Sequence, residues 1–365
     1  MRPTTKDLAK AAGVSLATVD RVLNNRPGVR RETVDSVTEA IERIGFVRNQ
    51  SAANLARGRS YRFEFLLPKA GDDFMAAVID RIRESSEAFR LDSIEVSFRC
   101  ALPNDPHKAA ELLARISPER IDGVAIMAPE SPQVRDATTR LIERGVRAVQ
   151  FISGQHDLRP IDFVGVDNDA AGATAARLLG RFLSPRTGKI LVVSETMNSL
   201  DSVERRLGFD RVLTTDFPGL IPLPSLETFG DAQRTRTVVR TSYANHPDIV
   251  GAYVLGSEAR LSLEAIREFG DPDNEVIIAH ERTRYTEEML RKRILDAVIA
   301  QNPGHLVRSA IRLLKARCDG REPLASQEQI RIEVLIEDNL EARCPDLPGR
   351  SAGPTERHRA DLRAP

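Results

Sequence analysis

From Tyr61 onward, the sequence alternates short apolar runs with longer stretches of amphipathic helical pattern. The first four runs are Phe63 to Leu67, Ile94 to Phe98, Val124 to Met127 and Ala148 to Ile152. Such runs are typical of buried strands, and helices between them favour parallel pairing because a parallel connection needs a long crossover. This part of the chain is therefore predicted to form a parallel sheet with helices on both faces.

A second series of runs follows the first. Its members are Phe163 to Val166, Ile190 to Val193, Ile249 to Leu255, Val276 to Ala279, Ala297 to Ala300 and Ile332 to Ile336. Together, the two series predict two doubly wound α/β subdomains.

The amino-terminal segment has a helical pattern instead. Thr4 and Asp7 fit a capping box for a short helix that Gly13 interrupts, and Ser15 can cap a second helix. The apolar positions of the second and third helices are Val19, Val22, Leu23, Val34, Val37, Ile41 and Ile44. Two helices joined by a tight turn and followed by a third predict a helix-turn-helix unit, with a small helical cap on another domain as the alternative.

The charge distribution supports binding to a polyanion. Lys+Arg and Asp+Glu both number 53, yet residues 1–62 hold twelve basic and six acidic side chains (12 − 6 = +6), against 41 and 47 in the remainder (41 − 47 = −6). A basic end on a neutral chain is typical of nucleic-acid binding, although a solvated basic face gives the same count.

Four motifs make this segment more specific: Thr5-Lys-Asp-Leu-Ala-Lys-Ala-Ala-Gly-Val-Ser15, Ala17-Thr-Val19, Arg21-Val-Leu-Asn24 and Phe46-Val-Arg-Asn49. In this order they resemble the lactose/galactose-repressor (LacI/GalR) family of bacterial regulators, which inserts the second helix in the DNA major groove. The resemblance implies base reading by Leu16, Ala17 and Arg21. It implies further DNA contacts, several of them to phosphates, by Thr4, Ser15, Thr18, Asn24 and Asn49.

Asp20 departs from the family pattern, which usually has serine here. Phosphates repel a carboxylate, so Asp20 is expected in the DNA-binding set either as an acceptor for a cytosine amino group or as a residue that orients Arg21.

Residues 49–60 resemble the family's hinge, a short helix that orders on operator DNA and pushes a leucine into the minor groove. Leu55 matches that leucine, and Arg57 or Arg59 is placed to meet phosphates. The segment is too short and polar to be a stable isolated helix, so a flexible linker is the alternative.

The remaining chain resembles, more diffusely, the type I periplasmic-binding-protein core that this repressor family carries. The expected organisation is a helix-turn-helix domain over residues 1–48, an effector-binding and dimerisation domain over 61–343, and a disordered tail over 344–365. The resemblance implies chain crossings between the two subdomains near residues 160, 290 and 325.

Ligands of open α/β sheets bind beyond the carboxyl ends of the strands, in a cleft where two sheets face each other. Strand-end candidates for effector binding are Asp73, Phe74, Glu130, Ser153 and Asn198. By resemblance, Arg205 matches the family's ligand-binding arginine, Gln301 matches a glutamine that holds sugar hydroxyls, and Ser257 stands where many sugar-responsive members have aspartate.

The absence of that aspartate, together with Ser153-Gly154 where sugar binders often carry Asp-Arg, weakens a simple-hexose assignment. His280 and its neighbour Glu281 are expected to supply replacement polar groups, unless His280 is an ordinary loop histidine. A sugar or polyol is expected from the family alone, and a small acid stays open because Arg205 suits a carboxylate.

Motifs for catalysis and metal binding are incomplete in the sequence. Cys100, Cys318 and Cys344 form no CxxC pair, and His280-Glu281 lacks the second histidine of a zinc protease. Gly188-Lys189 lacks the other residues of a phosphate-binding loop, and Gly-x-Ser-x-Gly does not occur. We expect no cofactor, no metal and no enzymatic activity.

The sequence as a whole predicts an effector-responsive repressor that acts as a homodimer on a near-palindromic operator. Its longest apolar stretches, such as Val250 to Leu255, are too short to span a membrane, and charged residues follow Met1, so we expect a cytoplasmic, nucleoid-associated protein. A free sugar-binding protein and an α/β enzyme fused to a DNA-binding unit are the alternative classes.

Overall fold

The computed structural model describes residues 3–23, 27–46, 60–69, 71–101, 105–158, 161–323 and 328–340. The chain forms two compact units and passes from one to the other after residues 165, 302 and 329, with the short segment Gly71–Met75 belonging to the second unit. The first unit holds three amino-terminal helices and a five-stranded sheet, and the second holds a seven-stranded sheet.

The amino-terminal helices are α1 (Thr5–Ala12), α2 (Leu16–Leu23) and α3 (Arg31–Ile44). Helices α1 and α3 end at Gly13 and Gly45, whose φ angles of 66° and 60° lie in the left-handed region that glycine adopts without a steric penalty. The buried side chains between the helices are Leu8, Ala9, Val19, Val37, Ala40 and Phe46. The three-helix prediction is confirmed, because the apolar positions at helical spacing form this core.

The sheet of the first unit contains β1 (Tyr61–Pro68), β2 (Ile94–Ala101), β3 (Gly123–Ile126), β4 (Arg147–Phe151) and β5 (Asp162–Val164). All its strands are parallel, in the order β2-β1-β3-β4-β5. The intervening helices are α4 (Asp73–Phe89), α5 (Pro106–Ala114) and α6 (Pro132–Glu143), with a 3-10 turn at Arg90–Asp92. Apolar residues from α5, α6 and the strands pack into one core.

The strands of the second unit are β6 (Gly188–Ser194), β7 (Leu220–Pro222), β8 (Leu226–Glu227), β9 (Ile249–Val254), β10 (Val276–His280), β11 (Ala297–Ala300) and β12 (Glu333–Leu335). Their order is β12-β11-β10-β9-β6-β7, with β8 paired to β6. The helices are α7 (Asn168–Leu183), α8 (Leu200–Asp216), α9 (Ala232–Asn245), α10 (Arg260–Phe269) and α11 (Arg284–Arg291), with a 3-10 turn at Glu337–Asn339.

Both faces of the second sheet are buried. Along β10, Ile277 and Ala279 enter one hydrophobic core while Ile278 enters the other. This alternation is the period of two of a strand, and it explains why the sequence shows continuous apolar runs rather than alternating ones.

Helix α12 (Pro303–Cys318) returns the chain to the first unit, where it packs against β3 and β4. The expected second crossing near residue 290 is wrong, because that residue lies inside α11 and the second unit continues through β11 to Asn302. The crossing comes later because β11 still belongs to the second sheet, where it pairs with β10.

Three other expectations differ from the structure. The run at Phe163 forms β5 of the first sheet, paired with β4, rather than opening the second series. Strand β12 is antiparallel to β11, whereas parallel strands are expected. The short strands β7 and β8 are absent from the prediction, because two or three residues are too few to show the alternation of a strand. The hinge at 49–59 and the tail at 344–365 lie outside the described residues.

Candidate functional site

The turn before α2 is closed by hydroxyl groups. The backbone N–H of Thr18 donates to Ser15 Oγ at 3.1 Å, and the two hydroxyl oxygens lie 2.8 Å apart. Ser15 thus caps α2 as the sequence predicts, and both hydroxyls lie at the helix end whose free N–H groups and dipole favour an anion.

Helix α2 has one buried and one exposed face. Val19 is buried against α1 and α3, whereas Leu16 is 47% exposed and Ala17, Asp20 and Arg21 are exposed. The residues assigned to DNA contact therefore share the solvent-exposed side of a helix whose other side is fixed by the core.

The guanidinium of Arg21 already has a partner. Its Nη2 donates to the backbone carbonyl of Pro27 at 3.0 Å. An arginine carries five N–H donors, so this bond orients the group and leaves other donors for a base or phosphate.

The frame of this helical unit depends on polar contacts of α1 and α3. Thr4 and Asp7 form the predicted capping box, with Asp7 Oδ2 accepting from Thr4 N at 2.8 Å, and these bonds lower the pKa of Asp7. Ser36 and Arg43 donate to carbonyls at the end of α1. Thr4, which we also expected at DNA, thus has a structural role in the cap. Asn24, Asn49, Leu55, Arg57 and Arg59 lie outside the described residues.

In the second unit, Arg205 occupies the centre of a buried polar cluster. Its side chain is 2% exposed, and Nη2 forms an ion pair with Glu281 Oε1 at 3.1 Å. Its Nε donates to Asn168 Oδ1 and its Nη1 to the carbonyl of Leu255, each at 3.0 Å. The guanidinium that we expected to face an effector is therefore held by three groups of the protein.

Gln301 joins this cluster, as its position after β11 suggests. Its Nε2 donates to Glu281 Oε1 at 2.9 Å. Among the described residues, two buried oxygens of this cluster have no hydrogen-bond partner, namely Glu281 Oε2 and Gln301 Oε1. Burial raises the pKa of Glu281, while Arg205 and Gln301 act in the opposite direction. An unpartnered buried acceptor is costly, so both atoms indicate a missing donor.

His280 does not belong to this polar cluster, contrary to our expectation. It is buried, its Nε2 lies 2.7 Å from the hydroxyl of Tyr253, and Tyr253 stacks on Phe209. Burial holds the pKa of His280 well below its usual value. Adjacent strand-end residues point in different directions, so Glu281 enters the cluster and His280 stays in the core.

Tight packing between α7 and α8 positions Arg205. A Cβ built on Gly172 would lie 1.8 Å from the carbonyl oxygen of Arg205, and one on Gly208 would lie 2.0 Å from that of Asp169. Only glycine allows the two helix backbones to approach this closely.

A second group in this unit is acidic. Ser257 donates to Asp72 Oδ2 at 2.9 Å, and Asp73 pairs with Arg260. Burial raises the pKa values of Asp72, Glu195 and Glu258, and the charge of Asp72 raises the latter two further.

The other expected effector residues have structural contacts. Phe74 is buried, and the backbone N–H of Asn198 donates to Thr196 Oγ1 at 3.1 Å. In the first unit, Glu130 pairs with Arg135 and accepts from the N–H of His156 at 2.8 Å. Ser153 there is buried, and its hydroxyl has no partner within the described ranges.

Sequence reasoning missed Asn168 and Asp72. Both lie beside helix starts, where an Asn or Asp ordinarily caps the helix, so their residue types gave no further signal. Among the described residues, no group of three metal-ligating side chains could hold an ion. No helix in the described part is long and apolar enough to cross a membrane.

Comparison with known proteins yields two family matches. Residues 4–49 match the family described as bacterial regulatory proteins, lacI family. Residues 63–322, more than half of the chain, match the periplasmic binding protein domain.

The HTH-type transcriptional regulator RegA of Clostridium saccharobutylicum is 26% identical over 252 residues, which are 60% of this chain and 74% of RegA. The HTH-type transcriptional regulator DegA of Bacillus subtilis (strain 168) is 27% identical over 180 residues, 49% of this chain and 52% of DegA. The chain thus matches about half the length of DegA.

Among solved structures, GanP, a glucose-galactose binding protein from Geobacillus stearothermophilus, superposes with a TM-score of 0.69. The alignment covers 78% of this chain and 100% of GanP at 15% identity. At 15% identity, the similarity shows a shared fold and nothing beyond it.

Proposed function

The chain belongs to the lacI family of bacterial regulatory proteins and carries a periplasmic binding protein domain, and we propose that it is a transcriptional repressor whose affinity for operator DNA is controlled by a small molecule. The observation that carries this proposal is α2, which combines a buried face with an exposed face bearing Leu16, Ala17 and Arg21.

Three exposed residues of α2 suit a contact in the major groove. Leu16 and Ala17 are apolar and match a thymine methyl group, while Arg21 can pair with guanine. The hydroxyls of Ser15 and Thr18 lie at the amino end of the helix, where a phosphate is favoured. One such helix reads one half-site, so the regulator acts as a homodimer on a near-palindromic operator in the cytoplasm.

The effector is bound at the strand ends of the second unit, where Glu281 and Gln301 hold unpartnered acceptors. Hydroxyl groups satisfy such acceptors, which supports a sugar or polyol, as does the likeness of fold to a glucose-galactose binding protein. Arg205 contributes by holding the Glu281 carboxylate in place.

A binding experiment tests the DNA-reading role. The operator is first selected from random duplexes with the wild-type protein, and affinities are then measured at fixed salt on the selected site and on random DNA. Arg21→Ala should cost roughly 1 to 3 kcal/mol on the selected site and much less on random DNA.

Arg31→Ala is the matched control, since it removes the same charge from the exposed start of α3. It should weaken binding to both DNAs alike. Equal losses on both DNAs for Arg21→Ala would show that Arg21 only contacts phosphate, and failure to select any duplex would refute the proposed function.

A further inference from the structure

Near the strand ends of the second unit, three buried acceptor oxygens have no hydrogen-bond partner in the part of the chain that the structure describes. They are Glu281 Oε2, Gln301 Oε1 and, at the start of α8, Asp201 Oδ1. Glu281 and Gln301 are almost wholly buried, with 1% and 2% of the whole residue exposed. A ligand at this place must therefore supply hydrogen-bond donors.

The same place carries an excess of negative charge. Asp201 is close enough to act electrostatically on both Arg205 and Glu195, and Glu195 in turn lies in the field of Asp72 and Glu258. Asp201 thus lies between the ion pair of Arg205 and Glu281 on one side and the carboxyl groups of Glu195, Asp72 and Glu258 on the other, and the five carboxyl groups outnumber the arginine.

The cations of this region already have acidic partners. Arg205 pairs with Glu281, Arg260 with Asp73 and Arg282 with Glu287. The segments that follow β6, β9, β10 and β11 contain no lysine in residues 195–201, 255–260, 281–283 and 301–302.

We infer that the effector carries a protonated amine on a hydroxylated frame, as an amino sugar or amino polyol does. An ammonium group has three donors and no acceptor, so it satisfies the orphan oxygens and offsets the acidic charge at once. A neutral sugar donates hydrogen bonds to the orphan oxygens but does not offset the acidic charge. The carboxylate of a small acid does neither. This inference rests on the proposed function, because it assumes that this region binds the effector.

The test uses the full-length protein and three matched probe sets, based on glucose, galactose and mannose. Each set contains the neutral hexose, its 2-amino-2-deoxy form, its N-acetylated amine and its uronic acid. Binding is measured by thermal shift and calorimetry at one pH and salt. Because a charge-assisted hydrogen bond is roughly twice as strong as a neutral one, an aminated probe should bind about ten- to a hundredfold more tightly than its neutral parent.

Glu195→Gln separates charge from shape. It should lower the affinity for the aminated probe far more than the affinity for the neutral hexose, because only the ammonium group loses an opposite charge. Asp248→Asn removes the same charge from an exposed position just before β9, at the amino end of the strand and not at its carboxyl end, and should leave the preference intact.

Each remaining outcome counts against the inference. Tighter binding of the neutral, acetylated or acidic probe would overturn it while leaving a sugar-responsive repressor in place. Binding by none of the probes, with operator affinity also insensitive to all of them, would refute both the inference and the proposed effector site.

Discussion

The exposed face of α2 and the buried cluster around Arg205 are built in opposite ways. The residues of α2 that face solvent follow one another within two helical turns, and their positions depend on one helix and its cap. The cluster combines side chains from α7, α8 and the ends of β10 and β11 with a backbone carbonyl after β9. A local surface is encoded by sequence spacing, whereas a cluster of this kind exists only when distant elements have packed.

The comparison predicts that the cluster tolerates substitution far less than the helix face does. Arg205→Met leaves the Glu281 carboxylate buried without its partner, so the free energy of unfolding should fall by about 3 to 5 kcal/mol in urea titrations. The double variant with Glu281→Gln should recover part of the loss, because it removes the unpaired charge.

Arg211→Met is the control in the same helix, since Arg211 forms an exposed ion pair with Asp169. It should cost less than about 1 kcal/mol. If Arg205→Met costs no more than this, the buried pair has no structural role.

The second prediction concerns the close packing of α7 against α8, which positions Arg205 in the cluster. Gly172→Ala would force a Cβ against the Arg205 carbonyl and should lower the free energy of unfolding by roughly 3 kcal/mol. Helix propensity alone predicts the opposite sign, a gain of about 1 kcal/mol from replacing glycine within a helix. The sign of the change in the free energy of unfolding, measured by chemical denaturation, therefore distinguishes close packing from helix propensity. Gly208→Ala in α8 should behave like Gly172→Ala.

In α2, whose exposed face depends on local sequence, loss of the helix cap should have a smaller effect on stability. Ser15→Ala removes the acceptor for the Thr18 N–H and should weaken local protection of α2 amides in hydrogen exchange by about 1 kcal/mol.

Ser15→Asp separates the two roles of this residue. It should restore the protection, because aspartate also caps helices, yet weaken operator binding, because phosphates repel it. Unchanged operator affinity in Ser15→Asp would remove Ser15 from the phosphate-contacting set.

The smallest effect concerns pH. The pKa of Glu195 is raised in the folded protein by burial and by neighbouring carboxylates, so the folded state binds more protons than the unfolded state. The free energy of unfolding therefore decreases as the pH rises from the ordinary glutamate pKa through the raised value. Glu195→Gln should raise the Tm by roughly 1 to 3 °C at pH 7, and the gain should vanish in acid below the ordinary value.

Glu111→Gln gives the opposite sign as a control. Lys108 lowers the pKa of Glu111, so its replacement should reduce stability slightly at neutral pH and have no effect in acid. A Tm gain for Glu195→Gln that persists below the ordinary glutamate pKa would contradict the electrostatic explanation.

Much of the fold could be predicted from the sequence. The capping box at Thr4, the cap at Ser15 and the apolar spacing of three helices all concern residues within a few positions of each other. The apolar runs located the principal strands, because a strand covered on both faces is apolar throughout. The prediction for the run at Phe163 is wrong about the sheet, because the apolar pattern of a strand does not identify the strand with which it pairs.

The sequence by itself determined the reading helix with its buried and exposed faces, because periodicity and capping are local properties. Only the tertiary structure decided that Glu281 joins Arg205 while its neighbour His280 turns to Tyr253, and that Asn168 and Leu255 complete the cluster. The sequence does not encode these choices by spacing. They follow from the register of β10 with its neighbours and from the close approach of α7 to α8, which act between residues far apart in the chain.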